Sequence, residues 1–153
     1  MRLLYVLMIL ASSGIGSAQI FTKVTDSPLS IIKGDSRSVN WVDVNGDGYV
    51  DCFISNGPQA GQNNMLYIND TNGNFTSVAD DPIVMDMMPS DGATFADIDN
   101  DGDLDGFVVN WYNKNNLAYI NDGTGKNTQV QEGIWVNHIG YPETAAFGDY
   151  DND

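Results

Sequence analysis

Asp97, Asp99, Asp101, Asp103 and Asp105 place five carboxylates at alternate positions of one short stretch, Asp97-Ile-Asp99-Asn-Asp101-Gly102-Asp103-Leu-Asp105. Such a run repels itself unless a cation sits within it. Calcium suits this spacing: it takes roughly six to eight oxygen ligands at about 2.3–2.6 Å, and a loop with acidic or amide side chains at every second residue can curl around it. The stretch recurs. Asp43-Val-Asn45-Gly-Asp47-Gly48-Tyr49-Val-Asp51 lies 54 residues earlier, and Asp149-Tyr-Asp151-Asn-Asp153 opens the same pattern 52 residues later. In the second copy side-chain oxygens are assigned to Asp97, Asp99, Asp101 and Asp105, and a backbone carbonyl to Asp103. In the first copy the same roles fall to Asp43, Asn45, Asp47 and Asp51, with Tyr49 supplying its carbonyl. Asp149, Asp151 and Asp153 are the ligands expected of the third. Gly48 and Gly102 follow the fifth position, where a sharp turn needs backbone that glycine adopts at little cost.

An EF-hand begins similarly but needs a bidentate Glu at its twelfth position, which here holds Ile54 in the first copy and Val108 in the second. Both loops run instead into strand-like sequence, Tyr49 to Ser55 and Leu104 to Val109, rich in aromatic and branched residues and without helical periodicity. Calcium loops stapled by many cysteines are excluded as well, because Cys52 is the only cysteine. It reads as a small buried hydrophobe, with a disulfide to another chain or to a downstream segment as the alternative.

The elements that must position these loops emerge when the copies are overlaid. Ser38-Val-Asn-Trp41-Val-Asp43, Gly92-Ala-Thr-Phe95-Ala-Asp97 and Thr144-Ala-Ala-Phe147-Gly-Asp149 each read as a strand leading into a loop, with an aromatic two residues before the first ligand. Phe53-Ile-Ser-Asn56 matches Phe107-Val-Val-Asn110 on the far side, so each loop joins two antiparallel strands. Asn63 to Asp70 matches Asn115 to Asp122, turns containing Gly73 and Gly125 follow, and Phe75-Thr-Ser-Val78 and Asn127-Thr-Gln-Val130 supply a last strand. Four short strands in about fifty residues make one propeller blade. The expected fold class is therefore all-β: a partial β-propeller of four-stranded antiparallel blades, with calcium-binding loops between first and second strands. Blades are expected at 38–79 and 92–131, with the start of a third at 144–153.

Phe21-Thr-Lys-Val24 resembles Phe75-Thr-Ser-Val78 at the same 54-residue offset, so residues 20–25 read as an orphan closing strand that completes the last blade of a ring. The third loop stops at its fifth position, Asp153. The expectation is an N-terminal fragment, spanning 19–153 of a propeller, whose two full blades contact missing C-terminal ones.

Residues 1–18 read as a signal peptide: Met1-Arg2 is a short positive start, Leu3 to Leu10 an apolar run, and Gly16-Ser-Ala18 a small-residue cleavage signal. No segment is long enough to span a membrane as a helix. A secreted, extracellular or cell-surface location follows, where calcium is abundant enough to fill weak sites. The net charge of −15 has its source in the loops, which hold eleven of the 21 acidic residues. With six Lys and Arg in all, nucleic acid is excluded as a partner. Asn69-Asp-Thr71 and Asn74-Phe-Thr76 fit the glycosylation pattern.

Catalysis finds little support. His138 is the only histidine, no nucleophile elbow is present, and the carboxylates are committed as metal ligands. Trp41, Phe95, Phe147, Tyr67 and Tyr119 recur in register and read as core. Trp111, Tyr112 and Trp135 do not recur; they stack on a sugar or a protein partner, or fill the space between blades.

On Trp41-Val-Asp43-Val-Asn45-Gly-Asp47-Gly48, Phe95-Ala-Asp97-Ile-Asp99-Asn-Asp101-Gly102 with Asp105, and Phe147-Gly-Asp149-Tyr-Asp151-Asn-Asp153, the chain resembles the FG-GAP/VCBS repeat family, the integrin-α-like propeller repeats. The resemblance covers Ile20 to Asp153 and implies a calcium-stabilised propeller, of seven blades, used in adhesion, ligand binding or scaffolding. Asn45 departs from the commoner Asp, and the third motif is incomplete. The expected function is a non-catalytic calcium-binding module, its calcium structural, whose partner is an extracellular protein or carbohydrate. The rival reading is the propeller scaffold of a secreted, polysaccharide-degrading enzyme.

Overall fold

Two copies of a repeat of short strands, broken by glycine- and asparagine-rich turns, give two sheets in a computed structural model that describes residues 22–149. The first sheet contains β1 (Ser36–Val42), β2 (Asp51–Asn56), β3 (Met65–Asn69) and β4 (Phe75–Ser77); the second contains β5 (Ser90–Ala96), β6 (Asp105–Asn110), β7 (Leu117–Asn121) and β8 (Asn127–Gln129). Each is a four-stranded antiparallel meander in chain order, β1-β2-β3-β4 and β5-β6-β7-β8. The expected all-β class, the strand count per repeat and the loops between first and second strands are all present. The arrangement is that of two blades of a propeller-like fold.

The two sheets repeat down to their irregularities. The β1–β2 register shifts between Ser36 and Ser38, and the β5–β6 register shifts between Ser90 and Gly92, the same position of the repeat. A bulge bends its strand and increases the local twist. It does so here at the ends of β1 and β5 remote from the acidic loops.

The first strands, β1 and β5, lie beside one another, and the core forms between the sheets. Val42, Phe53 and Leu66 of the first sheet meet Ala93, Val108 and Tyr119 of the second, with Ile83 of the connector among them. Phe53 and Phe95 pack edge to face, with centroids 5.5 Å apart at 71°. Phe107 and Phe147, one repeat onward, do the same at 6.1 Å and 64°. Segment 143–149 thus runs beside the second sheet much as β5 runs beside the first, although it forms no strand. Backbone atoms of Glu143 and Thr144 lie so close to Gly92 that a Cβ there would clash with them.

Tyr67 and Tyr119 are buried, as their recurrence predicts. Trp41 and Phe147 are not: they are 56% and 41% exposed. Recurrence in register marks a position in the repeat, and whether that position is covered depends on a neighbouring sheet; among the described residues none packs on the outer face of β1. Trp41 rests instead against Phe75 of β4, at 6.0 Å.

Two short helical pieces were not expected. Helix α1 (Pro28–Ile31) is capped by Ser27, whose Oγ accepts from Leu29 N, and a 3₁₀ turn (Pro82–Val84) is capped by Asp81, whose Oδ1 accepts from Ile83 N. Asp81 reaches across to the second sheet as well, its Oδ2 accepting from Asn127 N at 3.0 Å. The expected leader at 1–18, the first part of the closing strand at 20–25, and Asp151 and Asp153 lie outside the described residues. The described part of that closing strand, 22–25, belongs to no sheet.

Candidate metal centre

Each acidic loop is held by hydrogen bonds from its own backbone, in a pattern common to both repeats. In the second loop Asp97 Oδ1 accepts from Asp101 N and its Oδ2 from Gly102 N, at 3.1 and 3.0 Å. In the first, Asp43 Oδ1 accepts from Asp47 N and its Oδ2 from Gly48 N, at 3.2 and 2.8 Å. The fifth position braces the seventh: Asp101 Oδ1 accepts from Asp103 N, and Asp47 Oδ1 from Tyr49 N. Gly48 and Gly102 have φ of 87° and 98°, the left-handed turn that their position demanded.

The ninth residue closes each loop and is fully buried. Asp105 accepts from Ile98 N and Asn121 N, both at 2.8 Å; Asp51 accepts from Val44 N at 3.0 Å and Asn69 N at 2.8 Å. These carboxylates therefore join the loop to the third strand of its own sheet. Each oxygen accepts one backbone hydrogen and keeps a lone pair for another partner. Burial raises the pKa of Asp51, an effect opposed by the N–H groups of Asn69 and Val44 and reinforced by the charges of Asp47 and Asp43.

In the second loop Asp97, Asp99 and Asp105 converge, each with a carboxylate oxygen within 4.8 Å of the others. Asp99 is raised by desolvation and by the Asp101 and Asp105 charges. Asp103 is pushed up to about 6 by desolvation and then by Asp101 and Asp105, and its Oδ1 is buried without a hydrogen-bond partner. An all-oxygen donor set with three converging carboxylates and an orphaned buried oxygen alongside fits a hard divalent cation such as calcium. The first loop has the same frame with less charge. Asn45 takes the place of Asp99, and its Nδ2 donates to Asp47 Oδ2 at 3.1 Å. Of the third loop, Asp149 alone is described.

Asn69 and Asn121 were legible only as ends of a repeated Tyr-Ile-Asn-Asp string. In the structure both brace a loop: each side-chain oxygen accepts from a turn glycine, Gly73 or Gly125, and each Nδ2 donates to the eighth-position carbonyl of its own loop, Val50 or Leu104. With its amide so engaged, Asn69 is a poor fit to the glycosylation reading. In the turns beyond, Asp70 and Asp122 are held below the usual carboxylate range, chiefly by hydrogen bonds from the side chains of Asn74 and Thr124.

The aromatic residues that do not recur separate into two groups. Trp135 stacks on Phe107 at 5.9 Å and 24°, so it packs against a sheet. Trp111, Tyr112 and Tyr141 form a mutual edge-to-face cluster, with centroid distances of 5.9–6.0 Å. Cys52 is free and buried, and burial pushes its thiol up to about 11, as befits an inert small hydrophobe. His138 is exposed. No helix among the described residues is long and apolar enough to cross a membrane.

A family model described as the FG-GAP-like repeat matches residues 43–108 and again 97–153. Each match opens at the first ligand position of a loop, Asp43 or Asp97. No curated protein gives a significant match to the chain.

Proposed function

The chain belongs to the FG-GAP-like repeat family, and from that premise we propose that it is a secreted, calcium-stabilised β-propeller module with a non-catalytic binding or adhesion role. The observation that carries the metal assignment is the convergence of Asp97, Asp99 and Asp105 at the corner between β5 and β6, on a frame whose first-position bonds recur in the first loop. Calcium bound there supplies positive charge and a rigid cross-link, with no chemistry of its own.

The chain's residues divide the work. Asp97 and Asp43 hold the loop backbone in its curled form, Asp105 and Asp51 fasten it to the third strand, and Asp99, Asp101, Asn45 and Asp47 supply further oxygens. Asp151 and Asp153, with Asp149, would serve a third loop. Secretion is supported by the leader-like residues 1–18, and an extracellular protein or carbohydrate partner by the family and by the acidity that disfavours nucleic acid. The non-catalytic role rests on the commitment of the clustered carboxylates to the loops.

Calcium that binds the folded state alone raises stability by mass action. Thermal unfolding at rising calcium, against magnesium at equal ionic strength, should show a calcium-specific rise in midpoint. An unchanged midpoint, with no heat of calcium binding by calorimetry, overturns the metal assignment.

A further inference from the structure

We infer that the two acidic loops bind calcium cooperatively and that Asn121 is the residue that couples them. The inference rests on the calcium reading above and deepens it. Asn121 is buried at the end of β7, in the second sheet, but its Nδ2 donates to Val44 O of the first loop at 2.7 Å. The same Nδ2 donates to Leu104 O of the second loop at 3.2 Å. An amide nitrogen carries two hydrogens, so both carbonyls can be served at once.

The link continues at both ends into the ninth-position carboxylates. Asn121 N donates to Asp105 Oδ1 at 2.8 Å, and Val44 N donates to Asp51 Oδ2 at 3.0 Å. Three hydrogen bonds and two residues thus lead from the closing carboxylate of one loop to that of the other. Val44 also sits between the first and third ligand positions, Asp43 and Asn45, so a shift of its peptide moves both. The β7–β8 turn that Asn121 opens is wedged between the loops: Gly123 O lies within 3.7 Å of where a Cβ on Gly46 would stand, and a Cβ on Gly123 would lie 2.9 Å from Asp103 Oδ2.

The chain contains its own control. Asn69 has the role of Asn121 within the first sheet, making the bonds to Asp51, Gly73 and Val50, and among the described residues it has no bond to another sheet's loop. Losing Asn69 removes support within one sheet; losing Asn121 removes that support and the tie between loops. An ion that orders the second loop fixes Asp105, Asn121 and thereby Val44, so the first loop needs less ordering when its own ion binds. Linkage makes the effect equal in both directions.

The test is a calcium titration of the whole chain followed by NMR, with the Gly48 amide reporting the first loop and the Gly102 amide the second. Asp99→Ala removes a candidate ligand from the second loop only. In the otherwise native chain it should raise the calcium midpoint at Gly48 by about five-fold or more, the lower range of measured couplings. Asn121→Ala should abolish that shift, and Asn69→Ala should preserve it. A Gly48 midpoint indifferent to Asp99→Ala overturns the coupling even if Asn121→Ala fails to fold. A shift that survives Asn121→Ala overturns the role of Asn121. An absence of calcium response at both glycines overturns the inference together with the metal assignment, a result distinct from uncoupled binding at both.

Discussion

The first and second loops share a backbone frame and differ in charge. Asp43 and Asp97 accept from equivalent amides, Asp51 and Asp105 are buried alike, and both loops turn at a left-handed glycine. Against this common frame the second loop holds five carboxylates and the first three, with Asn45 and Tyr49 in place of Asp99 and Asp103. The frame is therefore a property of the repeat that does not require five acids. Desolvation, reinforced by the charges of Asp101 and Asp105, raises Asp99 and Asp103 above their ordinary range, so the second loop, with its five carboxylates, is the one with more to gain from a cation.

The largest effect should come from the buried ninth position. Asp51→Ala and Asp105→Ala each leave two backbone N–H groups without their acceptor, a loss of about 2–6 kcal/mol. In chelator, Asp105→Ala should cost less than Asp51→Ala, because it removes the repulsion between Asp105 and the four other carboxylates of its loop. In saturating calcium the order should reverse. Urea unfolding under both conditions checks this, and the same order in both breaks the comparison.

A second contrast lies in the tyrosines. Tyr67 OH donates to Met65 Sδ at 3.2 Å, whereas its counterpart Tyr119 donates to Asp86 Oδ2 at 3.2 Å, the oxygen that also accepts from Asn64, just before β3. Burial pushes Asp86 up to about 6, against the lowering effect of hydrogen bonds from Met88 N, Tyr119 and Asn64. A carboxyl with a folded pKa above its unfolded value favours folding most when protonated, below about pH 4, and that contribution is lost as pH rises through 6. The wild-type chain should therefore lose up to about 3 kcal/mol relative to Asp86→Asn between pH 4 and 7. Parallel stability curves for the two proteins across that range would show that Asp86 is no such group.

The smallest effect is a reciprocal exchange of ligand charge. Asn45→Asp should tighten calcium at the first loop, and Asp99→Asn should loosen it at the second, each on the order of ten-fold, or about 1.4 kcal/mol. By the same reasoning, replacing Asp97 should cost more affinity than replacing Asp43. Site-resolved calcium titration measures all four, and equal affinities before and after exchange would mean that ligand charge does not set the difference.

Much of this was legible in the residues. Aromatic and branched residues in a 54-residue repeat located the strands, and alternate carboxylates with a following glycine located the loops. The two helical pieces lie between the segments read as strands and carried a signal that went unread: Ser27-Pro28 and Asp81-Pro82 each pair a capping side chain with proline at the first helical position. The exposure of Trp41 was not legible, because recurrence says nothing of what covers a residue. Nor were the roles of Asn121 and Asp86, whose partners lie 77 and 33 residues away in sequence and are joined only by the packing of two sheets.

Asp86 also bears on how such repeats can be inherited. It lies in the connector, outside both sheets, yet the groups it satisfies are Asn64 before it and Tyr119 after it. A duplication that copied β1 to β4 alone would transmit four strands and a loop while leaving the joint behind. The smallest unit that carries its own joint runs from a first strand through the connector, so recombination breakpoints that preserve folding should fall before β1 or β5 rather than after β4.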